Sequence, residues 1–89
     1  MPVISKDPNA RLDWQIDWSS ALVTGDSISS SAWTVPSGLT KYAESNTSTA
    51  TTVWLDGGTA GQVYAVVNRV TTANGAIDDR TLQVVIEEH

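Results

Sequence analysis

The sequence predicts an all-β fold, a single antiparallel β-sandwich of six or seven strands. Three observations predict it. Val, Thr, Ile, Trp and Tyr dominate while helix formers are sparse. Short alternating runs are separated by frequent turn signals. Finally, Leu55 closes one strand, an acidic glycine-rich corner follows, and Tyr64 opens the next. That layout matches the tyrosine corner of immunoglobulin-like sandwiches, where the phenol ties the chain as it crosses between sheets. An antiparallel barrel is the competing architecture.

The elements follow in order. Residues 1–10 carry two of the three prolines and read as an extended N-terminal arm, leaving 11–89 as the sandwich domain. In residues 11–18, Leu12, Trp14, Ile16 and Trp18 point one way and Asp13, Gln15 and Asp17 the other, a half-buried strand. Thr24, Gly25 and Asp26 make a turn. Residues 27–35 form a second strand, with Ile28, Ser30, Ala32 and Thr34 on one side and Trp33 and Val35 on the other. Residues 39–43 are a weaker third strand, followed by a polar loop at 44–48. Residues 49–55 place Val53 and Leu55 inward and Trp54 outward. Residues 63–72 follow the corner, with Tyr64, Val66, Asn68 and Val70 in phase. Asn74-Gly75 predicts a type I′ hairpin, which needs positive φ at both positions. Residues 76–87 return with Leu82, Val84 and Ile86 on the apolar side. A seventh strand requires Val3 and Ile4 to pair with an edge.

Eighty-nine residues suffice for one small core, with an expected radius of gyration of roughly 12 Å. No cysteine is available as a staple, so the four Trp and two Tyr carry that burden, or an assembly does. A formal charge of −5 disfavours duplex nucleic acid and anionic membranes as partners. No apolar run approaches the roughly 20 residues that span a bilayer, no positively charged start leads into an apolar run as a signal peptide would, and the chain is expected to be a complete frame.

Catalysis finds little support. The one histidine, His89, is the last residue. Asp13 and Asp17 share a strand face but stand roughly 13 Å apart at 3.3 Å per residue, beyond the about 5–9.5 Å of glycosidase pairs. They read as solvated edge charges. Asp78 and Asp79, with Arg80 beside them, read as a surface salt bridge. Asp26, Asp56, Asp78 and Asp79 lie in or near loops, but no EF-hand pattern organises them for calcium. Asn46-Thr47-Ser48 matches a glycosylation sequon and reads as a polar loop. Gly57, Gly58 and Gly61 lack the ending of a phosphate loop and serve the bend before Tyr64. No cofactor or metal is expected.

The tryptophans divide. Trp14 is expected in the core beside Ile16, Val53 and Val66, and Trp18 half exposed at a strand end. Trp33 and Trp54 run out of phase with their apolar neighbours. They are expected to line an outer face as a sugar platform or subunit contact, or to cover the sandwich edges. Trp14, Trp18, Gly58, Gly61, Tyr64, Asn74 and Gly75 are the expected structural positions.

One resemblance covers about residues 6–86. Lys6-Asp7-Pro8, Leu12-Asp13-Trp14 and Ile16-Asp17-Trp18 open it. Ala32-Trp33-Thr34-Val35-Pro36 with Gly38-Leu39, Val53-Trp54-Leu55, Gly57-Gly58-Thr59-Ala60-Gly61 and Tyr64 continue it. The series resembles the fiber-tail adaptor proteins of tailed bacteriophages. The resemblance implies a non-enzymatic virion component of immunoglobulin-like fold, made and assembled in the bacterial host cytoplasm. It implies multiple symmetric copies contacting tail, neck or fibre subunits. No catalytic residues come with it, so the contact surface is read from this chain: Val3, Ile4, Lys6, Asp7 and Pro8 of the arm, with Trp33 and Trp54. A ten-residue arm reaches at most about 35 Å, enough to add a strand to a neighbour's edge. The alternative is a binding or capsid decoration module contacting carbohydrate at the host surface.

Overall fold

In the computed structural model, which describes residues 3–88, period-two apolar patterning becomes seven strands and no helix. They are β1 (Val3–Lys6), β2 (Leu12–Asp17), β3 (Ile28–Thr34), β4 (Leu39–Asn46), β5 (Ala50–Gly57), β6 (Val63–Thr72) and β7 (Ile77–Ile86). Two separate sheets form, one ordered β1-β7-β6-β3 and the other β2-β5-β4, so the sandwich is realised and the barrel is not. Every pairing is antiparallel except that of β1, which lies parallel to β7 with Val3 opposite Gln83 and Lys6 opposite Ile86. Val3–Lys6 of the expected arm are therefore extended and form the edge strand of the larger sheet, while Met1 and Pro2 lie outside the described residues.

Ile16, Val53, Leu55, Val66, Val70, Leu82, Val84 and Ile86 fill the space between the sheets, joined by Trp18, Ile28, Trp33 and Leu39. The alternation in β2, β5, β6 and β7 puts these side chains inward, as the sequence pattern requires. The radius of gyration is 13.6 Å, above the sequence expectation, because the body is elongated at 43 × 22 × 19 Å. Its two ends are consequently distinct surfaces. One carries the Gly57–Gly61 corner and the other the β6–β7 hairpin.

Four expectations are corrected. Trp33 is 4% exposed and belongs to the core. The register of β3 against β6 slips between Ile28 and Ser30, so Ser29 is an extra residue. A bulge shifts the phase of everything beyond it, and Ile28 and Trp33 both face inward although they differ by an odd number. Trp18, expected half exposed, is fully buried, while Trp14 is only partly buried against the core. Trp18 N donates to Thr49 O, and the turn after Trp18 folds back on its carbonyl through Ala21 N and Leu22 N, which covers the ring. The third strand runs on to Asn46 through the segment read as a loop, because β5 pairs with it along that length.

The hairpin also differs. Among the described residues none other than glycine has positive φ, so Asn74 does not adopt the type I′ conformation. Gly75 N donates to Thr72 O, Thr72 N donates to Ala76 O, and Gly75 has φ +92°. This is the three-residue hairpin in which a type I turn precedes a left-handed glycine. The Thr72 hydroxyl accepts from Ala76 N and helps hold it.

Candidate interaction surfaces

The corner that positions everything else is built as the sequence implies. Tyr64 opens β6, and its hydroxyl accepts from the backbone N–H of Thr59 at 3.1 Å. Gly38 packs beneath the ring, where an added Cβ would lie 3.0 Å from the phenol oxygen. Gly58 sits against Ile86 with φ +100°, and Gly61 N donates to Ile86 O. The crossing from β5 to β6 is thus pinned on both sides.

Lys6 completes this end. It is fully buried, and its ammonium donates to Gly57 O at 2.6 Å and to Asp7 O at 2.9 Å. Burial lowers its pKa, and the carboxylates of Asp56 and Asp7 act against that shift. Its side chain is a clasp holding β1 to the corner, a role that sequence reading missed. Val3 is exposed, Ile4 packs partly against the core, and Asp7 and Pro8 are half-buried in the turn after β1. Within that turn Ala10 N donates to Asp7 O, and Asn9 N donates to the Asp7 carboxylate.

Trp54 projects from the outer face of β5, the central strand of the smaller sheet, and is 38% exposed. Asp13 lies opposite it on β2 and Ala43 opposite it on β4. A second register slip, between Lys41 and Ala43, bulges Tyr42 out of β4 to 57% exposure. The Arg11 guanidinium lies 3.6 Å over the Tyr42 ring and pairs with Asp56 at 3.0 Å. The hydrogen bond from Arg11 is the main cause holding Asp56 below the usual carboxylate range. An aromatic platform bordered by charged side chains results.

One sheet edge is covered by side chains. Glu44 accepts from Trp33 N at 3.2 Å and Lys41 donates to Trp33 O at 3.4 Å, while the two pair with each other. These bonds cover part of the free edge of β3. Asp79 pairs with Arg69 directly across the hairpin at 2.8 Å, and not with Arg80 as its neighbour in sequence suggested. Arg80 instead lies 4.4 Å from the Trp18 ring centre.

Among the described residues no group of three or more His, Cys, Asp or Glu side chains is placed to hold a metal ion. His89 lies outside the described residues. Among the described residues no helix is long and apolar enough to cross a membrane.

No curated protein matches the chain. One family, described as the podophage GP4 fiber-tail adaptor protein gp77, matches residues 6–85. The match runs from the buried clasp Lys6 to Val85 near the end of β7, so it takes in strands of both sheets, the corner and the Trp54 face. The chain belongs to the podophage GP4 fiber-tail adaptor protein family.

Proposed function

We propose that this protein is a non-enzymatic structural component of the virion that links tail or neck to fibres through protein–protein contacts. The observation that carries this reading is the family match across both sheets. The fold is read as immunoglobulin-like. Its groupings β3-β6-β7 and β2-β5-β4 correspond to the C-F-G and B-E-D strands of such sandwiches, with β1 beside the last strand. The Tyr64 hydroxyl bond to Thr59 supports the same assignment.

An adaptor needs a stiff body and separate contact surfaces. The clasped corner, the elongated shape and the exposed platform around Trp54 supply both. The edge strand β1, with Val3 and Ile4, and the turn at Asp7 and Pro8 are the second proposed contact. Multiple copies arranged symmetrically on the particle, assembled in the host cytoplasm, complete the reading.

Cryo-electron microscopy of the particle tests it. Density for the sandwich is expected where fibres meet the tail or neck, in symmetric copies. Density spread over the capsid shell would assign a decoration role instead. The exposed Trp54 also suits a sugar platform. Titration of Trp fluorescence with host polysaccharide, using Trp54→Phe as control, separates that reading: saturable quenching lost in the variant favours carbohydrate.

A further inference from the structure

At the end of the sandwich away from the corner, a cleft of about 240 Å³ opens between the segment after β2 and the β6–β7 hairpin. Trp18 and Val70 lie at its base. Leu22 and Val23 form one wall, Ala76 and Ile77 the other. Val23 is 64% exposed and Ile77 65%, more than any other large hydrophobic side chain among the described residues. The chain therefore leaves its two most exposed apolar groups facing a common opening.

This opening is held in shape. Asp26 accepts from Asn74 N at 3.2 Å and from Ser27 N at 2.9 Å, and Ala73 N donates to Ser27 O. Those bonds tie one wall to the other. The volume lies below the roughly 300–1,000 Å³ of small-molecule pockets and is of the size that takes one large side chain. Aromatic or aliphatic anchors in such sockets are what dominate protein interfaces.

Charge identifies the source of the anchor. Asp26 and Asp78 both line the cleft, and neither forms an ion pair among the described residues. All five cationic side chains of this chain have partners other than Asp26 and Asp78. Lys6 is buried on Gly57 O, Arg11 is on Asp56, Lys41 on Glu44, Arg69 on Asp79, and Arg80 on Trp18. A second copy, with formal charge −5 and its cations occupied, is a poor source of a counter-charge.

We propose that this cleft is a docking socket for a different virion protein, one that inserts a large apolar side chain with a Lys or Arg beside it. The apolar anchor covers Val23 and Ile77, and the cation meets Asp78 at the rim. The proposal rests on the adaptor reading and adds a second, chemically distinct contact to the Trp54 platform.

Amide and indole NMR of the labelled protein, titrated with three acetylated, amidated peptides of sequence GLKG, GLEG and GSKG, tests it. The expected result is saturable shifts at Val23, Val70, Ile77 and the Trp18 indole with GLKG. At least tenfold weaker binding is expected for the other two. Ile77→Ser and Asp78→Lys, both at exposed positions, should each weaken GLKG at least fivefold without altering the remaining spectrum. No saturable shift with any peptide, equal binding of GLEG, or shifts centred on Trp54 would each overturn it. Phage carrying the double variant separates the two ideas. Wild-type incorporation at the tail–fibre junction would sink the socket while leaving the adaptor role standing, and loss of incorporation supports the socket.

Discussion

The indole N–H of Trp18 donates to the side-chain carbonyl of Asn68 at 3.1 Å, joining positions 50 apart in the middle of the sandwich. The same carbonyl accepts from the Thr51 hydroxyl at 2.7 Å. On its other side the Asn68 amide donates to Ser31 Oγ and Ala32 O. One fully buried amide thus links β3, β5, β6 and the covering Trp18, with every group paired. Asn68→Leu leaves the Thr51 hydroxyl without its acceptor and the Ala32 carbonyl without this donor. Each orphaned group costs about 1–3 kcal/mol, so a loss of about 3 kcal/mol is expected in urea unfolding. Asn68→Asp keeps the acceptor and buries a charge. Its carboxyl pKa rises on folding, so stability should be best retained at acid pH and fall as pH rises through the folded value.

Much of this fold was legible because alternation and turn chemistry agree. The limits of β6 follow directly from the corner on one side and Asn74-Gly75 on the other. Asn68 stood in phase with Val66 and Val70, and that inward polar position was the available signal for the buried network. What escaped was parity. Nothing in Ser29-Ser30-Ser31 marks which serine is the extra residue, because three small polar side chains suit a bulge equally. Plain alternation therefore puts Trp33 on the outer face, and the bulge turns it inward. Lys6 escaped for another reason. A lysine beside an aspartate and a proline looks like a solvated turn, and only the return of Gly57 O, brought by the β5–β6 corner, makes its burial tolerable.

Gly58 and Gly75 both adopt left-handed φ, at +100° and +92°, yet their surroundings differ. A Cβ on Gly58 would fall 2.7 Å from Cδ1 of Ile86, a side chain fixed in the core, whereas Gly75 opens on free space. Gly75→Ala should cost about 1 kcal/mol, the backbone strain alone. Gly58→Ala adds a steric conflict of about 1–3 kcal/mol. Denaturant midpoints of the two variants should therefore separate clearly. Equal midpoints would mean that Ile86 yields and that the corner is looser than drawn.

The pH response of the clasp has a definite sign. Burial places the folded-state pKa of Lys6 below 10.5. Between that lowered value and 10.5 the unfolded chain holds more protons than the folded one, so this group's contribution to stability rises with pH. At neutral pH Lys6→Met removes a charge-assisted bond to Gly57 O, worth about 1.5–3 kcal/mol, and should destabilise the chain by about that much. The gap between wild type and variant should widen as pH approaches 10.5. Unfolding curves across the alkaline range check this, and a gap that narrows would contradict the buried clasp.

Trp33 and Trp54 look alike in the sequence and are opposites in the structure. Trp33 lies inside at 4% exposure, its backbone bracketed by Lys41 and Glu44, and truncation to Ala should cost about 3–5 kcal/mol. Trp54 spans the outer face at 38% exposure between Asp13 and Ala43, so Trp54→Ala should shift the urea midpoint far less. If the platform is a contact, particles should incorporate the stable Trp54→Ala protein poorly, because an exposed aromatic anchor is lost while the body stays folded. Trp33→Ala should lower incorporation only as far as its reduced folded fraction dictates, and a stabilising solute should restore it. A Trp54→Ala protein that assembles normally would move the contact to β1 or to the hairpin-end cleft, where Val3 on the one and Val23 and Ile77 on the other are exposed apolar side chains.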